Sequence, residues 1–577
     1  MNILFEIKES IAKSINKNTN KSLISAVDIM YPPNTNMGDL SLPCFNVAKM
    51  LGIQPHEATL KIKEILTHKK NKYISTIQIA GPYLNIVINQ ATLAKEVLNA
   101  VTKKTNKYGQ NKAEKKERIM LEYSNANTHK DYHIGHLRNV CFGDSAYRIL
   151  KANGHKAIPV SYINDFGIHV AKTLWCLNEY YKKEIPDNNK GEFLGKVYTE
   201  SAKKIEETPT AKNIVSLMMK KIESRTGEEY ELWQKTRTWS IDQFNKVYKE
   251  LGVKFDHIFY ESEFIEKGIK EVKKLKEDGI LSESDGAIIA NLEKYDLGVL
   301  VIMRTDKTAL YPVADIPLAI YKLTKFKLDK SIYIVDIRQG LYFKQLFKLL
   351  ELMGHKQDLV HLGYDFVKLP SGMMSSRSGN IISYTELKKE LINAARKEII
   401  KRHERWNSSK IEKTAKTLAI ASMKFEMLKV DSNQIITFNI NTALKFEGFT
   451  AGYIQYTYAR INSIINKYKL EISENEDMQA VKKLNYAKLE ESKENEIILK
   501  LAKYSEEVAR AGERYSPNII AKYLFELSQL SNDYYHRISI LKSDNEAKIA
   551  RISLIIAINQ VIKNGLDLLG IEVLDEM

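Results

Sequence analysis

A strand, a polar loop and the start of a helix follow one another between residues 119 and 151, and this order constrains the fold more than any other feature of the chain. Residues 119–123 predict a strand, and residues 136–151 predict a helix that Gly154 ends. Backbone N–H groups at such a helix start favour phosphate, and Gly135 lets a nucleotide approach the backbone closely. The segment therefore predicts a nucleotide site in an α/β sheet.

The chain divides into three parts. Residues 1–112 predict a small mixed unit, with a helix at 53–69 and strands at 73–80 and 83–88, and a polar linker is predicted at 103–118. Residues 113–385 alternate strands and helices, which is typical of an α/β sheet, with an insertion at about 180–300. Helical periodicity dominates residues 386–577 and predicts a separate helix bundle. The further strands predicted in the middle part are 158–163, 286–290, 298–303, 331–336 and 359–362.

Charge and cysteine content bound the partners and the compartment. The 577 residues carry a net charge of +16, which attracts nucleic acid, although a lysine-rich composition throughout the chain would give the same charge. Cys44, Cys141 and Cys176 are far apart and odd in number, so we expect buried thiols in a reducing compartment. We find no apolar run long enough to span a bilayer and no secretory signal, and we therefore expect a cytoplasmic protein that binds no membrane.

Two histidines stand three residues apart where the helix begins. His133 and His136 can reach one face there and donate hydrogen bonds to charge that develops on a transferring phosphoryl group. A zinc site is the alternative, but neither a His-Glu-x-x-His helix nor paired cysteines surround the two histidines. We therefore expect catalysis without a tightly bound metal held by the protein.

The run His-Ile-Gly-His at 133–136 resembles the His-x-Gly-His signature of class I aminoacyl-tRNA synthetases. Its surroundings resemble the arginyl-tRNA synthetases, in which an acid, a serine and an asparagine precede the signature. Residues 164–167 resemble the family's Gly-Asp-Trp-Gly segment, from which Asn164 and Phe166 depart. The resemblance implies a catalytic domain with a Rossmann-like parallel sheet, an N-terminal α+β additional domain and a C-terminal all-α anticodon-binding bundle.

The same resemblance implies the reaction. The family activates arginine with Mg–ATP and transfers it to the 3′-terminal adenosine of its tRNA, and activation needs bound tRNA. His133, Gly135 and His136 would then contact ATP. One alternative is a class I synthetase for cysteine or for glutamate. The lack of a cysteine cluster argues against cysteine, and the acidic pocket described next argues against glutamate. The other is an inactive tRNA-binding paralogue, which the intact signature opposes.

Tyr311 and Asp315 resemble the family's Tyr-x-x-x-Asp motif, which holds the substrate side chain. A carboxylate can accept two hydrogen bonds from a planar guanidinium, and Tyr311 could stack on it, although this spacing alone is typical of an exposed helix face. This chain has Asp336 and Arg338 where the family more often has a glycine and an acid. The resemblance implies further arginine contacts from Glu122, Asn127, Gln339 and Glu261.

Residues 368–380 resemble a degenerate form of the second class I signature, Lys-Met-Ser-Lys-Ser. Met373 and Ser376 stand where that signature has its lysines. Many members of the family lack the second lysine and have another just before the first signature, where this chain has Lys130. We therefore expect Lys130 and Arg377 to supply positive charge at the leaving pyrophosphate. The resemblance also implies ATP contacts from Met374, Ser375 and Ser376.

Residues 451–461 and 531–537 resemble the family's anticodon-binding bundle, and residues 81–85 resemble its N-terminal domain, which reaches the tRNA elbow. Exposed tyrosine and arginine side chains can stack on unpaired bases. We expect tRNA contacts from four residues, Tyr456 and Arg460 in the bundle and Tyr83 and Asn85 in the N-terminal unit. We also expect a monomer.

Overall fold

The N-terminal unit is a three-stranded antiparallel sheet flanked by helices. The computed structural model describes residues 2–19, 21–68, 70–370, 382–474 and 484–577. The sheet has the order β1-β3-β2, and its last two strands are the ones predicted on either side of Gly81-Pro82. The elements are α1 (Ile3–Thr19), β1 (Leu40–Pro43), α2 (Phe45–Leu51), α3 (Pro55–His68), β2 (Ile74–Ala80), β3 (Tyr83–Ile88) and α4 (Gln90–Lys104).

The middle of the chain alternates strands and helices, as predicted, and carries a largely helical insertion. Its first half contains β4 (Arg118–Glu122), α5 (Ile134–Ala152), β5 (Lys156–Ile163), α6 (Ile168–Cys176), α7 (Lys190–Glu207), α8 (Ala211–Glu223), α9 (Glu228–Leu251) and β6 (His257–Tyr260). Its second half contains α10 (Ile265–Glu277), β7 (Ser282–Ser284), β8 (Ala287–Asn291), β9 (Val299–Met303), α11 (Pro312–Lys325), β10 (Lys330–Asp336), α12 (Gly340–Leu352), β11 (Asp358–Tyr364) and β12 (Val367–Lys368).

The central sheet has five parallel strands in the order β11-β10-β4-β5-β6. The chain first winds outward from β4 to β6 and then returns to the other side of β4 with β10. In doubly wound sheets, ligands bind outside the carboxyl ends of the strands at this point of reversal. Glu122 ends β4 and Asp336 ends β10, so the topology brings both residues to that edge.

The C-terminal part is helical, as predicted. A short strand, β13 (Ile436–Thr437), pairs with β12 in parallel and joins this part to the end of the central sheet. The elements after the sheet are α13 (Tyr384–Arg402), α14 (Ser408–Leu428), β13, α15 (Ile440–Ala443), α16 (Ala451–Glu474), α17 (Ser492–Glu513), α18 (Pro517–Arg537) and α19 (Asn545–Leu568).

The polar stretch at 103–118, predicted as a linker, is exposed over much of its length but is anchored at two residues. Lys104 still belongs to α4, and Tyr108 is buried, with its hydroxyl donating a hydrogen bond to the carbonyl of Leu501 at 2.9 Å. Asn111 donates to the carbonyl of Ser505 at 2.9 Å. The segment packs against α17, and one continuous apolar cluster contains buried residues from all three parts of the chain.

Candidate active site

A cavity of about 1010 Å³ opens at the point of reversal of the sheet. Each side of it comes from a different element: Glu122 from β4, Tyr162 from β5, and Tyr342 from α12. Eight of the residues predicted to contact ATP or arginine line it, namely Glu122, Asn127, His133, Gly135, His136, Tyr311, Asp315 and Gln339. The predicted residues therefore form part of the lining of this cavity, and residues that were not predicted, such as Tyr162 and Tyr342, complete it.

The loop that leads from β4 to α5 is held in an uncommon conformation. Ser124 (φ 59°) and His129 (φ 62°) both occupy the left-handed region, which non-glycine residues rarely adopt. The ring of His129 is fully buried and lies 2.9 Å from the hydroxyl of Thr128 and 2.8 Å from that of Thr236. Burial, with nearby Arg237, lowers the pKa of His129 to about 3, so this ring is a neutral anchor. Helix α9 of the insertion thus fixes the loop that precedes the signature.

The two signature histidines cap the start of α5. Nδ1 of His133 accepts a hydrogen bond from the backbone N–H of Gly135 at 3.1 Å, and Nδ1 of His136 accepts one from the N–H of His133 at 3.3 Å. The rings stack with their centroids 3.9 Å apart. A side chain at Gly135 would collide with the His133 ring, because a Cβ there would lie 2.9 Å from its Cε1.

This capping fixes the tautomer of both rings. Burial and nearby Lys130 lower the pKa of His133 to about 4, and burial, His133 and Lys130 lower the pKa of His136 well below its ordinary value. Both rings are therefore neutral near pH 7. Because each Nδ1 accepts a backbone N–H, each proton must lie on Nε2. The site thus presents two neutral N–H donors from which a phosphoryl oxygen can accept hydrogen bonds.

The inner wall of the cavity is acidic. Asp315 accepts a hydrogen bond from the hydroxyl of Tyr342, and burial, with nearby Glu122, raises the pKa of Asp315 to about 6. Glu261 accepts a hydrogen bond from Nδ2 of Asn164 at 3.1 Å, and burial, reinforced by Asp315, raises the pKa of Glu261 to about 8. Two buried carboxyl groups, Asp315 on the lining and Glu261 just behind it, thus make this side of the cavity acidic.

Two of the predicted site residues lie beside the cavity rather than on its lining. Glu261 stands behind Asn164, which lines the cavity. Lys130 is half-buried, and its ammonium lies 5.1 Å from the ring centroid of Tyr198. Burial and nearby Lys172 lower the pKa of Lys130. Lys130 in turn lowers the pKa values of both signature histidines, so its positive charge lies close enough to affect the start of α5.

Asp336 and Arg338, which differ from the residues usual in the family, form an ion pair with each other. The guanidinium of Arg338 donates to both carboxylate oxygens of Asp336, at 2.8 and 2.6 Å. Gln339 follows them in an exposed turn at the cavity mouth. The pair thus caps the end of β10 and leaves Gln339 accessible.

Most of the second signature, including Met373, Met374, Ser375, Ser376 and Arg377, lies outside the described residues. The described chain on its far side returns to the first signature: the N–H of Ile134 donates to the carbonyl of Ile382 at 3.4 Å, and the N–H of Tyr384 donates to that of Tyr132 at 2.8 Å. Val367, just before the segment, lines the cavity.

Several residues that line the cavity were not predicted from the sequence, among them Asn125, Tyr162, Lys322 and Tyr342. Lys322 lies seven residues after Asp315 on α11, and this heptad spacing, which places both on one helix face, was the available signal. Asn125 donates to Glu122 at 3.2 Å, and its buried Oδ1 has no hydrogen-bond partner among the described residues. Asn125 therefore offers an acceptor next to Glu122.

The expected RNA contacts differ in their exposure. Tyr83 is 42% exposed, whereas Asn85 is only 5% exposed and accepts a hydrogen bond from Ser41 at 2.7 Å. The side chain of Asn85 therefore holds β1 and β3 together, and the expected RNA contact is not supported there. In the bundle, Tyr456 is half-buried, and the guanidinium of Arg460 lies 4.0 Å from the ring centroid of Tyr535.

Two further features of the described residues concern clusters that could bind a metal ion and helices that could span a membrane. In the described part of the chain, no group of three or more His, Cys, Asp or Glu side chains is placed to hold a metal ion. Helix α19 is long and apolar enough to cross a membrane by length and composition alone, but 67% of its most apolar stretch is buried in the bundle. A core helix passes the same test.

Models of three families match successive parts of the chain. The arginyl-tRNA synthetase N-terminal domain matches residues 6–88, the class I (R) tRNA synthetase catalytic domain matches 96–440, and the DALR anticodon-binding domain matches 454–577. The arginine–tRNA ligase of Bdellovibrio bacteriovorus is 34% identical, over 95% of this chain and 94% of that protein. That of Clostridium acetobutylicum is 32% identical, over 99% of this chain and all of that protein.

Solved structures agree in fold. The arginyl-tRNA synthetase of Thermus thermophilus has a TM-score of 0.77 at 23% identity and covers 99% of both chains. That of Plasmodium falciparum has a TM-score of 0.76 at 21% identity, over all of this chain and 99% of that one. With the matching models, the full-length relatives and the geometry of the cavity together, this chain belongs to the arginyl-tRNA synthetase family of class I aminoacyl-tRNA synthetases.

Proposed function

We propose that this chain activates arginine with ATP and transfers the arginyl group to the 3′-terminal adenosine of tRNA. One observation carries the choice of amino acid: a cavity whose inner wall bears carboxylates lies directly beside two neutral histidine donors. A cationic side chain fits the first feature, and a phosphoryl group fits the second. The two substrates would therefore meet at the point of reversal of the sheet.

The guanidinium of arginine is assigned to Asp315, with Glu261 adding negative charge behind Asn164. Tyr311 is 68% exposed at the mouth, where its ring can cover the guanidinium plane. Glu122, Asn127 and Asn125 face the position of the α-ammonium, and Gln339 stands at the entrance. A substrate without a cationic side chain would leave buried carboxylates unpaired, which favours arginine strongly over neutral amino acids.

ATP is assigned to the start of α5. Nε2 of His133 and of His136 would donate to the α-phosphate as the arginine carboxylate attacks it, and Gly135 leaves room for the nucleotide. Magnesium would arrive with ATP as part of that substrate. Lys130, with Arg377 of the second signature, would stabilise the leaving pyrophosphate, and Met374, Ser375 and Ser376 would contact ATP.

The tRNA is assigned to the two outer parts of the chain, with Tyr83 in the N-terminal unit and Tyr456 and Arg460 in the bundle as base contacts. A monomeric state and a cytoplasmic location stay predictions. The three cysteines are buried free thiols, which suits a reducing compartment.

Exchange of labelled pyrophosphate into ATP, measured with each amino acid in turn and with and without tRNA, tests the proposal. Exchange with arginine is expected, and it should depend on tRNA. Exchange with another amino acid instead would overturn the assignment of the substrate. No exchange with any amino acid, while tRNA still binds, would favour the inactive paralogue.

A further inference from the structure

Lys322 places a positive charge in the wall of a cavity whose proposed substrate is itself a cation. Its side chain is 1% exposed and that of Glu122 is 3% exposed. Its ammonium donates to Oε2 of Glu122 at 2.6 Å and lies 4.2 Å from the ring centroid of Tyr333. All three residues line the cavity, so the pair belongs to the site and not to a remote part of the core.

The pair settles the position of Glu122. Its second oxygen, Oε1, accepts the hydrogen bond from Nδ2 of Asn125 at 3.2 Å, so both carboxylate oxygens have fixed donors. A buried carboxylate without a counter-charge takes up a proton or turns away, because the cost of burying a lone charge is large. Although burial acts to lower it, the pKa of Lys322 is raised by Glu122 and Tyr333, so the lysine stays charged.

Lys322 also limits the negative charge of the acidic groups around the cavity. Glu122, Asp315 and Glu261 carry three negative charges when ionised, and Lys322 cancels one of them. Without Lys322 the wall would hold an excess of negative charge, which buried carboxylates relieve by binding protons.

We propose that Lys322 is a positioning residue of the arginine site, which holds the carboxylate of Glu122 directed at the α-ammonium and leaves Asp315 and Glu261 to the guanidinium. This inference rests on the proposed activation of arginine. Lys322 acts through Glu122 and does not itself take part in the reaction. Its removal should therefore affect the binding of arginine more than that of ATP.

The first test compares Lys322→Met with Lys322→Arg in pyrophosphate exchange with tRNA present. Lys322→Met should raise the KM for arginine by about tenfold or more, since one charge-assisted contact is lost, and leave the KM for ATP within about twofold. Lys322→Arg keeps the charge and should stay within about threefold of wild type for arginine. Lys325→Met, at an exposed position of the same helix, is the matched control and should change neither.

The second test removes both partners and does not depend on whether Lys322→Met folds. Glu122→Gln with Lys322→Met replaces the pair by neutral groups of similar size, which buried sites tolerate better than a lone charge. If Lys322 acts through Glu122, the double variant should have a KM for arginine no higher than that of Glu122→Gln alone. Effects that add would show that Lys322 acts elsewhere and would overturn the inference.

The activity of the wild-type enzyme distinguishes a failure of the proposed function from a failure of the role proposed for Lys322. If the wild type gives no exchange with arginine, the proposed function and the role of Lys322 both fall. If the wild type is active and Lys322→Met has an unchanged KM for arginine, or raises both KM values equally, only the positioning role is overturned.

Discussion

At the scale of single residues, Asp315 is the group on which the choice of substrate depends. Asp315→Asn keeps the size of the side chain but removes the charge that a guanidinium requires, so kcat/KM for arginine should fall by about 100-fold or more. The measurement is pyrophosphate exchange over a range of arginine concentrations. Asp278→Asn, at the exposed end of α10, is the control. A loss of less than about threefold would contradict the assignment of Asp315.

The raised pKa values in the acidic wall predict that arginine binding depends on pH. The pKa values of about 6 for Asp315 and about 8 for Glu261 mean that protonated, uncharged carboxyls are present in the empty site at lower pH. A bound cation favours the ionised form, so binding releases protons and strengthens as pH rises. The KM for arginine should therefore fall between pH 5.5 and 8.5, by at most about tenfold per unit for each group below its pKa.

The variant Glu261→Gln distinguishes the titration of Asp315 from that of Glu261. In this variant the KM for arginine should stop changing above about pH 7, because only Asp315 still titrates. The KM for ATP, measured over the same range, reports general effects of pH on the enzyme. An arginine KM that is flat from pH 5.5 to 8.5 in the wild type would contradict the expectation.

Lys130 is the residue that should replace the missing signature lysine. Lys130→Ala removes positive charge beside His133 and His136, and the rate of activation should fall by about 100-fold with little change in the KM for arginine. Single-turnover formation of arginyl-adenylate, with tRNA present, measures this rate directly. Lys196→Ala, at an exposed site on α7, is the control. Near-normal activation by Lys130→Ala would exclude the role.

At the scale of elements, the sequence predicted the strands and helices that form the nucleotide side of the site. The helix expected at 136–151 is observed as Ile134–Ala152, because its apolar face and the glycine after it are local signals. The ion pair between Glu122 and Lys322 joins residues 200 positions apart, and no local pattern reports such a contact. For the two histidines, the sequence likewise predicted only that they stand three residues apart at the start of a helix. Their tautomers could not be predicted, because these depend on hydrogen bonds to the backbone that form in the fold.

Helix α10 positions the helix that carries the arginine-binding residues. Gly268 lies so close to the first turn of α11 that an added Cβ would stand 1.6 Å from the carbonyl oxygen of Val313. Gly268→Ala must therefore push the two helices apart, which moves Tyr311 and Asp315. We expect a KM for arginine raised by about tenfold and a loss of stability of about 1–3 kcal/mol, which is typical of overpacking.

Arginine titrations and thermal unfolding measure both effects of Gly268→Ala. Ile269→Ala, at the neighbouring position, is the control, because that side chain is exposed. A Gly268→Ala enzyme with wild-type affinity and stability would show that α10 does not set the position of α11.

At the scale of the whole molecule, the helix that begins at the first signature ends against the last helix of the bundle. Ser145, on α5, donates to the carbonyl of Leu568 at 2.8 Å, and Arg148 pairs with Asp144 at 2.8 Å and with Asp567 at 3.1 Å. The nucleotide site and the anticodon-binding bundle are therefore connected by one rigid element of about five turns.

Lys424 closes this connection. Lys424 is 2% exposed, and from α14 its ammonium donates to the carbonyls of Leu251 at the end of α9 and of Gly570 after α19. Both carbonyls belong to helix ends, where cations are favoured. One side chain thus joins the insertion to two helical segments of the C-terminal part.

Lys424→Met keeps the length of the side chain but leaves these two carbonyls without a donor, so the free energy of unfolding should fall by about 1–3 kcal/mol. Because the lost contacts lie between parts of the chain, unfolding should also become less cooperative. Calorimetry measures both effects, and Lys416→Met, at an exposed position of the same helix, should show neither. An unchanged midpoint and an equally sharp transition in Lys424→Met would mean that the apolar core alone holds the three parts together.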